Sequence, residues 1–387
     1  MVKRYLSVVA LILTLSVIFT ATPFNCLASS NQEETGVINA NQSVSNGYNE
    51  YLNSYIKSPI AEKNQEIPLN TYSVLNGNVT ENPDTISWDG NGELIFKVNV
   101  TESGLYNLVL NWKPISAGVD VIMGVKIDGE FPFEGTEQIT FSRLWKNITN
   151  EPRTDVNGNE FAQEQTEIFE FRKNSFKDDK GVVIEPYCFA FEAGEHTVSI
   201  VGARQNIEIK GIMLEAPEQV KKYKKTEASS TEKSTEIITI QGEAADIKTV
   251  NTIIPKSNNS DSGMTPSDPY VSKINYIGGT TWQNPCETVI WNFEVKQSGY
   301  YSVNMRYKQS DLINANSIRW LRIDGKTPFE EAKYISFPYT TSWEYYVLGD
   351  KNEPYFIWLE EGSHTISMEV TLGSQAEFFE RLSEIVD

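Results

Sequence analysis

The 387-residue sequence predicts an all-β protein: two tandem antiparallel β-sandwich domains of jelly-roll type, with short terminal helices. Three observations predict it. An internal repeat runs through the chain, short segments alternate apolar and polar residues between turn signals, and no helical period is sustained.

The repeat has three blocks in the same order. Glu93 to Tyr106 matches Thr288 to Tyr301 at an offset of 195, each reading as strand, Ser-Gly turn, strand. Ile127-Asp128-Gly129 with Pro132-Phe133-Glu134 matches Ile323-Asp324-Gly325 with Pro328-Phe329-Glu330 at an offset of 196. Asp-Gly between alternating runs is a strong hairpin signal. Pro186-Tyr187, Glu192, Gly194, His196-Thr197 and Ser199 match Pro354-Tyr355, Glu360, Gly362, His364-Thr365 and Ser367 at an offset of 168. The first copy carries an extra segment from about Asn147 to Ile184, expected as a surface loop. Module one is placed at 66–216, a linker at 217–236 and module two at 237–373. Cutting that linker is expected to give two independently folded domains.

The ends follow different rules. Lys3 and Arg4 precede an apolar run from Leu6 to Phe19, which reads as a secretory signal peptide over 1–28, cleaved after Ala28. Residues 29–65 read as flexible, with a possible short helix carrying Tyr48, Tyr51, Leu52, Tyr55 and Ile56. Residues 374–387 read as the start of a C-terminal helix, because Phe378, Leu382 and Ile385 share one stripe. No second apolar run is long enough to cross a bilayer, so no transmembrane segment is expected in the mature chain.

Composition narrows the function. The formal charge is −19 and becomes −21 without residues 1–28, which excludes a phosphate-binding surface and nucleic acid as a partner. The basic run Lys221 to Lys225 lies among Glu, Ser and Thr and reads as solvated linker. Cys188 and Cys286 are the cysteines left after cleavage, too few for a disulfide scaffold. An Asn-rich, aromatic-rich exported chain fits a Gram-positive type of bacterium.

No catalytic motif, metal cluster or phosphate loop is legible, and no enzyme activity is expected. The two histidines, His196 and His364, occupy equivalent positions and read as structural. Aromatic residues in predicted loops stand out instead. Trp88 and Trp145 in module one align with Trp282 and Trp343 in module two, and such pairs also suit shared packing positions. Tyr339, Tyr345 and Tyr346 have no counterparts. Trp282, Tyr339, Trp343 and Tyr345 are the candidate ligand-binding residues, since a flat amphipathic ring suits the apolar face of a sugar.

Ile240-Gln241-Gly242-Glu243-Ala244 resembles the opening strand of galactose-binding-like carbohydrate-binding modules. Ile277-Gly278-Gly279, Trp282, Ser298-Gly299, Arg319 to Gly325, Pro328-Phe329, Phe337-Pro338-Tyr339, Trp343 and Val370 to Gly373 resemble the tandem N-terminal β-domains of large extracellular solute-binding proteins of carbohydrate ABC transporters. The resemblance implies a galactose-binding-like fold and a secreted protein at the cell surface. Its expected partner is a glycan, alongside a cell-surface receptor or enzyme. It also implies that Glu243 helps hold a structural calcium ion, with no required cofactor otherwise. In the resembling receptors a bilobed domain follows, so the chain is expected to be a shortened or split form. Docking to other proteins without sugar binding, and a carboxylate-based glycoside hydrolase or lyase, are the competing functions.

Overall fold

The computed structural model describes residues 47–225, 233–261 and 263–376, all within one compact unit, Asn39–Asp387. The expected signal peptide, and the C-terminal helix from residue 377 onward, lie outside the described residues. Among the described residues antiparallel sheets dominate, as the alternation predicts, and an α-helix, Tyr48–Ser54, precedes module one.

Module one pairs a five-stranded sheet with a seven-stranded one. The first runs Ser73–Leu75, Glu93–Val100, Gly194–Val201, Val121–Ile127 and Ile139–Phe141. The second centres on Gly104–Pro114 and Ile207–Glu215. Leu94, Phe96, Leu108, Leu110, Val125, Val198 and Ile200 are fully buried, because period-two alternation turns one face of each strand inward. Module two repeats the plan with Thr288–Val295, Gly362–Thr371, Ser317–Ile323 and Ile335–Phe337 side by side. Both Asp-Gly pairs form hairpin turns with positive φ at each central residue: 51° and 85° at Asp128 and Gly129, 50° and 74° at Asp324 and Gly325.

The extra segment of the first copy is not a surface loop. Its strands Trp145–Asn147 and Gln165–Glu167 extend module two's sheet, with Trp145 paired to Lys248 of Ile247–Lys248. That two-residue strand would otherwise present unpaired backbone groups at an edge, and the hairpin satisfies them. Ion pairs follow the same seam: Lys273 Nζ to Glu160 at 2.7 Å, Lys333 Nζ to Glu185 at 2.6 Å and Lys177 Nζ to Glu369 at 2.5 Å. Burial pushes the Glu369 carboxyl upward, but Lys177 and Arg322 outweigh it and hold the group below its usual range.

The linker also holds more structure than its charge suggests. Tyr223 stacks on Tyr355 at 3.9 Å and meets Phe329 edge-on at 5.3 Å, and its hydroxyl accepts the Phe356 N–H. Tyr48 does the same for module one. It packs on Phe133 and Tyr187, and its hydroxyl accepts the Cys188 N–H at 2.8 Å. Phe133 and Tyr187 are the repeat counterparts of Phe329 and Tyr355, so each module takes a tyrosine plug from the segment before it. Cys188 and Cys286 are unpaired, and burial pushes their thiols up to about 11 and about 12.

Candidate functional site on the outer sheet of module two

The outer sheet of module two is built on Gly299–Ser302 and Asn304–Tyr307, which read as one strand broken at Val303. Its antiparallel partners are Phe356–Leu359 and Glu344–Val347. Tyr301, Val303, Met305 and Tyr307 pack on the module's core together with Tyr346, Leu348, Ile357 and Leu359. Side chains of the opposite parity therefore face outward: Tyr300, Asn304, Arg306 and Lys308 on one strand, Trp343, Tyr345, Phe356 and Trp358 across from it.

This alternation brings Trp343 and Tyr345 to one face. Tyr345 sits directly opposite Arg306 and is 67% exposed. The Arg306 guanidinium lies 5.7 Å from its ring, ion-pairs with Asp261 at 3.0 Å and donates to the Gly263 carbonyl. The Gly263 N–H holds the Asp261 carboxyl below its ordinary range, and Arg306 adds to that against the opposing effect of burial. Beside this cluster is a concavity of about 270 Å³ lined by Ser260, Asp261, Lys308, Thr341, Ser342 and Trp343. The ring of Tyr276 meets Trp343 edge-on at 5.6 Å. The indole N–H of Trp343 is buried without an acceptor, so what the ring presents to the concavity is its hydrocarbon surface.

Two buried amides hold the loops around the concavity. Asn275 donates to the carbonyls of Asn258 and Pro266 and accepts the Asn258 N–H at 2.8 Å. Gln309 donates to the Leu312 and Ala315 carbonyls and accepts the N–H groups of Asp311 and Leu312. Its backbone carbonyl accepts the Thr340 N–H at 2.7 Å, which ties the 338–343 loop to the 308–316 loop. Neither amide carries a sequence signature. Arg306 and Lys308 do: they share the outward parity of the segment from Ser302.

The other predicted residues lie elsewhere. Trp282 is 8% exposed and belongs to the core, 6.2 Å from Trp291, with the Arg319 guanidinium over its ring at 4.7 Å. Its N–H goes to the Glu287 carbonyl, as that of buried Trp88 goes to the Asn91 carbonyl. Both indoles fill packing positions, so Trp282 offers no platform. Tyr339 is half-exposed on the 338–343 loop, outside the lining of the concavity. Trp145 and Trp343 are not equivalent. The pairings Arg172↔Trp112 and Glu344↔Tyr307 set Phe171 as the counterpart of Trp343. Phe171 lies between the ammonium groups of Lys113 and Lys210, at 4.6 and 5.6 Å.

Glu243, the residue that the resemblance assigns to calcium, sits half-buried in the short 3-10 turn Gly242–Ala244. Calcium takes six to eight oxygen ligands, and no group of three or more acidic, His or Cys side chains is placed to hold a metal among the described residues. Burial raises the Glu243 carboxyl, and the nearby charge of Glu160 adds to it. Glu160 itself is spent on Lys273 and the Ile274 N–H.

No family model matches the chain, and a search of curated proteins finds no match. Several solved structures align over part of it. A GH26-CBM35 β-(1,4)-mannanase of Podospora anserina aligns over 43% of this chain and 31% of its own, at 13% identity and a TM-score of 0.26. A family 35 carbohydrate-binding module of Clostridium thermocellum aligns over 39% of this chain and 96% of its own, at 8% identity and 0.23. A second module of that family, from an environmental isolate, aligns over 31% and 73%, at 13% identity and 0.22. The chain spans less than a third of the mannanase, and likenesses of this size assign no activity to it.

Proposed function

We propose that the protein is a non-catalytic glycan-binding protein whose site is the outward face of module two around Trp343 and Tyr345. The observation that carries this reading is one solvent-facing cluster: the half-buried ring of Trp343 and the exposed ring of Tyr345, with Asp261, Lys308, Ser260 and Ser342 beside them. Pyranose rings bind such surfaces by laying a C–H face on an aromatic ring and hydrogen-bonding their hydroxyls at its edge. Absence of catalysis is part of the reading. The carboxylate that lines the concavity, Asp261, is tied to Arg306 and the Gly263 N–H and held ionised, so it is a poor proton donor to a glycosidic oxygen.

Affinity electrophoresis through gels holding mannan, xylan, β-glucan, α-glucan or pectin tests it. The wild type is expected to be retarded by at least one polymer. Trp343→Ala with Tyr345→Ala is expected to lose about a hundredfold in affinity, about 1.4 kcal/mol for each ring. Because Tyr345 is exposed and Trp343 lies outside the buried core, the double variant should melt within a few degrees of wild type. Equal retardation of variant and wild type, or no retardation by any polymer, contradicts the reading.

A further inference from the structure

The outer sheet carries a second aromatic pair that no sequence feature singled out. Trp358 is 45% exposed and meets the Tyr300 ring edge-on at 5.0 Å. Its N–H donates to the Glu360 carboxylate at 2.7 Å, and Ser298 donates to the same carboxylate at 3.1 Å. The indole is thus tethered at one edge while it remains exposed to solvent. The repeat gives the comparison. Leu105 and Ala190 occupy these two places in module one, paired to each other, and Leu105 is buried. The Ala190 N–H goes to the Tyr51 hydroxyl of the helix, whereas the backbone bridge from the preceding segment is common to both modules, Ile60 to Leu105 in one and Lys233 to Tyr300 in the other. Packing accounts for the side chains there, but it does not account for a half-exposed tryptophan at the same place in module two.

Tyr300 and Arg306 lie on one strand with the same parity, so Trp358–Tyr300 and Trp343–Tyr345 are two ends of one face. Eight residues separate Tyr300 from Lys308, about 26 Å at ~3.3 Å per residue. Between the ends lie Ser302 and Asn304, polar side chains suited to hydroxyl groups. Phe356 also lies there, but the Lys233 ammonium sits over its ring at 4.4 Å, so it adds no free platform.

The geometry points to Trp358 and Tyr300 as a second aromatic subsite, so that module two takes a linear polysaccharide lengthwise along its outer sheet rather than gripping only a chain end. This inference rests on the reading of Trp343 and Tyr345 as a glycan site. The face is polar between its two aromatic ends and is several sugar rings long, which suits an extended neutral polymer.

The test uses the full chain, the polymer that retards it most, and the di- to hexasaccharides of that polymer, measured by calorimetry. Trp358→Ala is expected to weaken polymer binding about tenfold, leave disaccharide binding within twofold, and remove most of the gain between short and long oligosaccharides. Trp358→Phe keeps a flat ring and should restore most of the loss; its melting temperature, read beside wild type, separates lost contact from lost fold. Unchanged polymer binding by a folded Trp358→Ala overturns the lengthwise subsite alone. A wild type that binds no polymer overturns it together with the reading beneath it.

Discussion

At the scale of single residues, the two histidines show how a repeated motif can be structural in every detail. His364 Nδ1 meets Asp324 at 2.7 Å and Nε2 meets the Glu360 carbonyl at 2.8 Å, while the other Asp324 oxygen accepts the Thr365 N–H. His196, Asp128, Glu192 and Thr197 repeat the clasp in module one. Burial lowers the pKa of the His364 imidazole, but the hydrogen bonds that its ring N–H groups donate to Asp324 and the Glu360 carbonyl outweigh it and raise it above 6.5. Burial raises the Asp324 carboxyl, yet the Thr365 N–H and His364 bring it below 3.8. The signs define a window. The histidine's contribution is full below pH 6.5 and is lost as pH rises through its raised folded value, whereas the aspartate's is lost as pH falls through its lowered one. The clasp should stabilise most between these limits. His364→Gln is expected to cost about 0.5 kcal/mol in urea melts at mildly acid pH, because Asp324 is 46% exposed and screened. The difference should shrink at alkaline pH; a larger cost there contradicts the assignment.

At the scale of elements, hairpins and strand pairs were legible because their signals are local. Asp128-Gly129 and Asp324-Gly325 name their own turns, and the alternation from Ser302 to Tyr307 fixes which side chains leave the core. That parity, carried across the sheet, makes Trp343 and Tyr345 outward and Tyr346 inward. Tyr346 looks like a loop aromatic in the sequence only because its strand is short and half-exposed. Trp282 failed for a different reason: a tryptophan after Gly278-Gly279 looks like a loop residue, and only the fold brings Trp291 and Arg319 onto it. Trp358 carries no surface signal in the sequence because it sits inside an apolar strand, Phe356–Leu359, where one expects burial. The partners that close the loops, Asn275 and Gln309, were illegible because their bonds span up to 17 residues and are chosen by loop geometry rather than by any pattern.

At the scale of the whole molecule, the two copies share structure across their boundary. The Trp145–Asn147 and Gln165–Glu167 hairpin completes module two's sheet, and Tyr223 plugs module two from the linker. Cleavage at a protease site engineered into residues 226–232 leaves Tyr223 on the first fragment. The nicked fragments are therefore expected to co-elute in size exclusion and to separate only on denaturation; fragments that part at once contradict this coupling. The arrangement also fixes one aromatic face relative to the rest of the molecule, and that face carries the central claim. Its most direct test is fluorine NMR of protein labelled with 5-fluorotryptophan, titrated with the polymer that retards it in gels. Eight tryptophans give eight resonances, and five of them, Trp88, Trp112, Trp282, Trp291 and Trp320, are buried. Polymer is expected to shift the Trp343 resonance, and that of Trp358 with it, while Trp282 and the other buried indoles stay in place. Binding that leaves Trp343 unmoved and shifts Trp145 or Trp282 instead would contradict it.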